Sequence, residues 1–311
     1  MQIYVSGSLA YDRIMDFPER FSDYILPDKI HVLNVCFTVN SMQEQFGGTA
    51  GNIGYNLALL GERPLILATA GRDFKNYADW LKGHGLSLDG IRRVSEEFTA
   101  GAYITTDKAD NQITGFNPGA MKYQCDYSVD GSNPESSLAI IAPGNPDDML
   151  TYSRTYKERR IPYIFDPGQQ IPILPPERVL EMLTGSAVLI SNDYELEMIM
   201  RVTGLSRSEI LERTGAIITT LGEKGSRLHV DGQEAQVPAA KVSQVLDPTG
   251  AGDAYRAGLI KGIVMGKSLA DSAYLGAVCA CYAVECQGTQ CHSFTWDEFQ
   301  TRYESNFGPI T

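Results

Sequence analysis

The run LAIIAPG, Leu138 to Gly144, places five apolar residues before a proline and a glycine. It reads as a short buried strand that ends in a turn. The same plan recurs along the chain at IYVSGS (Ile3–Ser8), LILATAG (Leu65–Gly71), IPYIFDPG (Ile161–Gly168), AVLISND (Ala187–Asp193) and AIITTLG (Ala216–Gly222). Helical stretches separate several of these runs: Asn52–Leu60, Phe74–His84, Pro146–Arg159, Pro176–Leu183 and Glu195–Thr203. Strands alternating with helices predict an α/β fold, a three-layer α/β/α arrangement around a mostly parallel sheet. In such sheets ligands collect outside the carboxyl ends of the strands.

Two regions break the alternation. Ile30–Phe46 and Phe98–Phe116 carry strand-forming residues with no helix between them, and YITTDKADNQITGFNPGAM reads as a hairpin with a polar turn at Asp107–Asn111. These pieces are expected to form a small β lid over the strand ends, contributed by segments of roughly 12–46 and 98–118, with Gly47-Gly48 as its hinge. No low-complexity segment, fixed-period repeat or long polar linker marks a boundary, so residues 1–311 are expected to form one domain.

Composition narrows the function. A net charge of −12 over 311 residues argues against a general attraction to nucleic acid or to anionic lipid, which would need a basic face. Small-molecule partners fit better. No run approaches the ~20 apolar residues of a membrane span and no basic leader precedes an apolar stretch, so a cytoplasmic enzyme is expected. Oligomeric state is open between a monomer and a homodimer. Six cysteines are present, four of them between Cys279 and Cys291 beside His292. Their spacing is not a usual zinc pattern, and GAVCACYAVEC reads as a buried helix of small residues, so reduced thiols are expected.

LDPTGAGDAYRAGLI, Leu246 to Ile260, carries the chemistry. Helix N-termini present unpaired N–H groups and partial positive charge, and glycines let phosphate approach the backbone. Gly250, Ala251 and Gly252 would therefore form an anion hole for a transferring phosphoryl group. Asp253, on the first turn, would take the proton of a substrate hydroxyl. The helix behind is expected to be amphipathic, anchored by Ala254, Leu259, Ile260 and Ile263. A plain helix cap would also put an acid here, without requiring the rest of the string. No G-x-x-x-x-G-K-[ST] occurs, and GGTAGNIG lacks the G-x-G-x-x-G of a dinucleotide site.

Four segments together resemble the ribokinase-like, or PfkB, carbohydrate and nucleoside kinases: FGGTAGNIGYNLALLG, NDYE at Asn192–Glu195, TTLGEKGS, and DPTGAGDAYRAGL, in the family's order. Within the family, SGSLAYDRIMDFPERF, NLALLG, TTDKADNQITGFNPGAM, DPGQQ and ECQGTQ are most similar to bacterial adenosine kinases. The resemblance implies the ribokinase-like fold with its β lid, ATP and adenosine as substrates, and magnesium, with a potassium site as a further implication.

It also implies roles for particular residues. Asp12 would clasp the ribose diol, since a carboxylate can accept two hydrogen bonds, with Ser8, Gly48 and Asn52 completing the sugar contacts. Phe116 would lie against the adenine and Gln169-Gln170 would read its polar edge. Asn192 and Glu195 would organise magnesium through water, and Thr220, Gly222 and Gly225, with Asn192, would hold the nucleotide. Asp247 and Thr249, with a carbonyl near Gly288, fall at the family's potassium site. From residue chemistry alone, the alternatives are helix caps for Asn52 and the N-x-x-E, a core residue for Phe116 and an exposed turn acid for Asp12. The chain departs from the adenosine kinases at Ala102, where an aromatic is expected, and at Cys36, where a hydroxyl is; base recognition would then be looser, or Phe37 and Tyr103 would substitute.

The reaction this implies is ATP + adenosine giving ADP + AMP by in-line transfer to the ribose 5′-hydroxyl. A sugar kinase of the ribokinase or fructokinase type and a catalytically silent nucleoside-binding regulator are the alternatives.

Overall fold

The computed structural model of the chain describes residues 1–230 and 232–310. Each apolar run identified above is a strand: β1 (Gln2–Ser6), then, after the segments of the second sheet, β4 (Leu65–Ala70), β8 (Ser137–Ile141), β9 (Tyr163–Phe165), β10 (Val188–Asn192) and β11 (Ala216–Thr220). With β5 (Ile91–Arg93), β12 (Ser226–Val230) and β13 (Gln233–Val237) they form a nine-stranded sheet in the order β13-β12-β11-β10-β9-β8-β1-β4-β5. All pairings from β11 to β5 are parallel; β12 runs antiparallel to both neighbours.

Strand alternation explains the three layers. Ile3, Val5, Leu138, Ile140, Ile190 and Ile218 face one core, which is covered by α1 (Thr49–Leu59), α2 (Lys75–Gly83), α7 (Ala251–Val264), α8 (Leu269–Val284) and α9 (Trp296–Phe307). Their neighbours Tyr4, Ala139, Ile141, Leu189 and Ile217 face the other, under α3 (Pro146–Arg159), α4 (Pro176–Leu183), α5 (Asp193–Thr203) and α6 (Arg207–Leu211). Runs apolar at every position are what burial on both faces requires.

The α7 helix is not amphipathic as expected. Every residue from Ala254 to Ile260 is buried, because the helix lies between α1 and α8, and Ile263 is only partly covered. Glycine makes the close approach possible: a Cβ on Gly258 would stand 2.4 Å from the carbonyl oxygen of Leu275, and one on Gly262 2.5 Å from Cα of Ser272.

The expected β lid is a separate four-stranded sheet, β3-β2-β6-β7, made from β2 (Ala10–Asp16), β3 (Ser41–Gly47), β6 (Ala100–Thr106) and β7 (Gln112–Asn117). The polar hairpin turn falls at Asp107–Asn111, with buried Asp107 accepting from the amides of Phe21, Ala109 and Asn111. Two expectations need correction. Only Ser41–Gly47 of the 30–46 segment is strand; Pro27–Val32 is a 3-10 turn that leaves Ile30, Val32 and Leu33 exposed. The thiols are not all reduced: Cys286 lies beyond the end of α8 and is disulfide-bonded to Cys291, while Cys125, Cys279 and Cys281 are buried free thiols and Cys36 is an exposed one. The loop between Cys286 and Cys291 is short enough for its ends to meet. Among the described residues no helix is long and apolar enough to cross a membrane.

Candidate active site

A cavity of about 880 Å³ opens at the carboxyl ends of the strands, with Asp166 after β9, Asn192 at the end of β10 and Thr220 at the end of β11 in its wall. Gly250 caps α7 in the left-handed region at φ +79°, where a side chain would be strained and a Cβ would stand 3.0 Å from Thr289 Cγ2. Among the described residues, the amides of Gly250, Gly252 and Asp253 make no hydrogen bond within the chain, whereas Ala251 N–H is directed at the Pro248 carbonyl, 3.3 Å away. The free donors are thus Gly250, Gly252 and Asp253. The Ala251 amide assigned to the anion hole is already engaged.

Asp253 lies in the cavity wall. Burial pushes its carboxyl up to about 6, against the lowering influence of Arg256 and of a hydrogen bond from Asn52, with Asp166 and Glu195 adding to the rise. Asn52 Nδ2 donates to Asp253 Oδ2 at 2.8 Å. Its amide orientation is set from behind. The indole of Trp80, a donor only, donates to Gln290 Oε1 at 3.0 Å, which turns Gln290 Nε2 toward Asn52 Oδ1 (3.0 Å) and the Tyr77 hydroxyl (2.6 Å). Tyr77 passes its own proton to the Gly47 carbonyl at 2.8 Å. Asn52 therefore is not a cap of α1; Gly48 occupies that position, at φ +87°, and a Cβ there would stand 2.6 Å from the Ser8 carbonyl oxygen.

Ser8 and Thr49 exchange contacts, Thr49 N–H donating to Ser8 Oγ at 3.0 Å, and Thr49 rather than Ser8 lines the cavity. Asp12 is half-buried; burial raises its pKa and the negative charge of Asp247 raises it further. Alternation along the lid strands sorts the remaining candidates. Asp12 is in register with Ala102, and Ala102 with Phe116, so the three share one face of the sheet. Phe116 is 55% exposed on that face and is no core residue. Tyr103 is on the opposite face, where its hydroxyl accepts from Arg13 at 3.0 Å, and Phe37 packs between Phe17 and Phe21 with ring centroids 4.7 and 5.1 Å apart. Neither is free to replace the aromatic missing at position 102. Gln169 lines the cavity, whereas Gln170 is buried with Oε1 unpartnered.

Asn192 and Glu195 form a reciprocal capping box on α5: Glu195 N–H donates to Asn192 Oδ1 (2.7 Å) and Asn192 N–H to Glu195 Oε2 (2.8 Å). Both still face the cavity with Thr220, Gly222 and Gly225. Glu195 Oε1 is left uncommitted, which fits a magnesium ion held through water. Asp247 accepts from Thr249 N–H at 2.8 Å and Gly288 N–H at 3.0 Å, so each carboxylate oxygen keeps a lone pair for a monovalent cation. Among the described residues no group of three or more His, Cys, Asp or Glu is placed to hold a metal ion directly.

Two residues were not singled out from the sequence. Gln290 lies within ECQGTQ, where polarity alone does not distinguish it. Arg256, three residues after Asp253, is a charged residue within the buried stretch Ala254–Ile260 of the helix; it is 6% exposed and paired with buried Asp166.

The pfkB family carbohydrate kinase pattern matches residues 16–295. A nucleoside kinase of Methanocaldococcus jannaschii is 33% identical over 288 residues, covering 91% of this chain and 94% of the relative. The structure of Burkholderia thailandensis nucleoside kinase in complex with inosine superposes with a TM-score of 0.87 at 35% identity, covering 98% of this chain and 99% of that one. The same enzyme in complex with ADP-inosine gives 0.84 at 37% identity, with 98% and 96% covered. The chain belongs to the pfkB family of carbohydrate kinases.

Proposed function

We propose that the protein is an ATP-dependent nucleoside kinase that phosphorylates the ribose 5′-hydroxyl of adenosine, giving AMP and ADP. The observation that carries this reading is the register line Asp12–Ala102–Phe116 on one face of the lid. Two strand spacings, about 10 Å, separate a carboxylate from an exposed aromatic ring, with only a methyl between them. That distance suits a sugar diol at one end and a base at the other. Ala102, where an aromatic was expected, leaves room for the base to lie flat toward Phe116. A sugar kinase needs the carboxylate but has no use for the ring.

In this reading Asp253 accepts the hydroxyl proton, the amides of Gly250, Gly252 and Asp253 stabilise charge on the transferring group, and the lid excludes water. Magnesium, held near Glu195 and Asn192, would neutralise the phosphates. Thr220, Gly222 and Gly225 line the donor side of the cavity. The kinship with a kinase crystallised with inosine supports a purine nucleoside acceptor. The test is a panel of adenosine, inosine, cytidine, ribose and fructose with ATP, read as ADP formed. Adenosine should give the highest kcat/KM. Preference for a free sugar would replace this reading with a sugar kinase, and no turnover of any acceptor would leave a nucleoside-binding protein.

A further inference from the structure

Arg256 touches the anion turn from a direction the mechanism above leaves unused. Its Nε lies 2.5 Å from Asp166 Oδ2 and its Nη2 donates to Asp166 Oδ1 at 2.8 Å. The third nitrogen, Nη1, makes no hydrogen bond among the described residues, and it stands 2.8 Å from the point a Cβ on Gly252 would occupy. The absence of a side chain at Gly252 is what admits it. Arg256 is on the same face of α7 as Asp253, one turn on. Among the described residues the cavity wall holds two basic side chains, Arg256 and Lys241, and Lys241 is exposed.

We propose that Arg256 is a further catalytic residue of the phosphotransfer reaction, donating from Nη1 to an equatorial oxygen of the phosphoryl group in flight, with Asp166 as the positioning residue that holds the guanidinium edge-on. This inference rests on the kinase reading. As the 5′-oxygen bonds to the γ-phosphorus, the bond from that phosphorus to the β-phosphate oxygen breaks, ADP leaves with the electron pair, and the hydroxyl proton goes to Asp253. Charge spreads over the equatorial oxygens during this exchange, and a fixed cation at the anion turn is strongest there. A buried pair of this kind gives little net stability compared with apolar residues of the same size. Its geometry suits a charge held ready, with the Nε–Nη2 edge of the guanidinium turned to Asp166 and Nη1 left for a ligand.

Arg256→Gln, Arg256→Lys and Arg256→Gly are compared with wild type on whichever acceptor the panel ranks first. A wild type inactive on the whole panel sinks the kinase reading itself and is thereby separate from failure here. The expected result is a kcat lowered by ~10²–10³-fold in Arg256→Gln, with KM for the acceptor within about threefold, and partial recovery of Arg256→Gly turnover by added guanidinium ion. ADP with aluminium fluoride and acceptor, a mimic of the planar phosphoryl group, should bind wild type far more tightly than Arg256→Gln, while ADP alone binds both alike. Where the single variants fold poorly, Arg256→Gln/Asp166→Asn removes both charges and should show the same kcat loss in soluble protein. Folded variants that keep kcat within about threefold overturn the proposal. So does a loss that guanidinium does not rescue and that falls equally on binding of ADP and of the mimic, the pattern of a structural pair.

Discussion

Asn52 Nδ2 lies 2.8 Å from Asp253 Oδ2, joining the first helix after the lid to the helix that starts at the anion turn. The carboxylate therefore receives a donor whose direction is fixed three residues back, by the one-way indole N–H of Trp80 acting through Gln290. Replacing Gln290 by Leu would strand Asn52 Oδ1 and Trp80 Nε1, at about 1–3 kcal/mol for each buried group left unpaired. Asn52 would be free to turn its oxygen to Asp253, which disfavours the ionised form. We expect turnover at pH 7 to fall several-fold and the acid limb of kcat/KM to move to higher pH. A pH profile checks this, because loss of stability alone lowers the whole curve without moving its limb.

The Asp253 carboxyl, raised to about 6 chiefly by burial, has to be ionised to act as base. Activity is expected to fall as pH drops through about 6, with unit slope in log kcat/KM, which reports the free enzyme. Asp253→Asn should lower kcat by ~10²–10⁴ at pH 7.5 and leave acceptor binding in place. Near-normal turnover would remove Asp253 from the base role. The sign for stability is opposite. A raised folded pKa means that the protonated form is favoured in the fold, and that stabilisation is lost as pH rises from the ordinary carboxylate range through about 6. Asp253→Asn should accordingly melt above wild type at pH 8, with the gap closing toward pH 4.

Asp12 gives a test on the substrate side. If its half-buried carboxylate grips both ribose hydroxyls, 2′-deoxyadenosine leaves one acceptor unpaired, at about 1–3 kcal/mol, or roughly 5- to 150-fold in kcat/KM. Steady-state comparison of the two nucleosides decides. Equal efficiency takes Asp12 out of the sugar site.

The layered fold was legible because burial on both faces writes itself as unbroken apolar runs, and the hairpin at Asp107–Asn111 because turns need particular residues. The lid sheet was legible only in part: β2 and β6 pair in parallel across about 90 residues, and nothing local in Ile30–Asn40 says that it is a loop. Motif positions found the cavity wall, Asn192, Thr220 and Gly250–Asp253 included. They left the cap and the metal role of Asn192 and Glu195 as alternatives, where the structure shows the capping box formed with both residues in the cavity wall, and they could not show that Ala251's amide turns to Pro248, which depends on backbone direction. Tyr103 is turned away from base recognition by the strand face it occupies, a property of register that composition does not carry, and Phe37, in the loop before β3, is engaged with the rings of Phe17 and Phe21. Arg256 and Gln290 gain meaning only from partners 90 and 238 positions away.

Phe116 separates nucleoside from sugar. Its ring is more than half exposed on the Asp12 face, so truncation to Ala removes little packing from the lid, and its hairpin remains paired to β6 along its length. A purine lying against the ring would gain about 0.5–1.5 kcal/mol from aromatic contact in addition to the apolar area covered. Ribose has no surface to place there. Phe116→Ala should lower kcat/KM for adenosine by about tenfold or more, a drop that exceeds the aromatic contact alone because buried area is lost with it. Phosphorylation of ribose, where measurable, should change by less than twofold, because Asp12 and Asn52 are untouched. Melting temperature, recorded on the same preparations, should stay within a few degrees of wild type. Equal loss on both acceptors with a lowered melting temperature would show that Phe116 serves the hairpin and not the base, and the register line from Asp12 would then lose its far end.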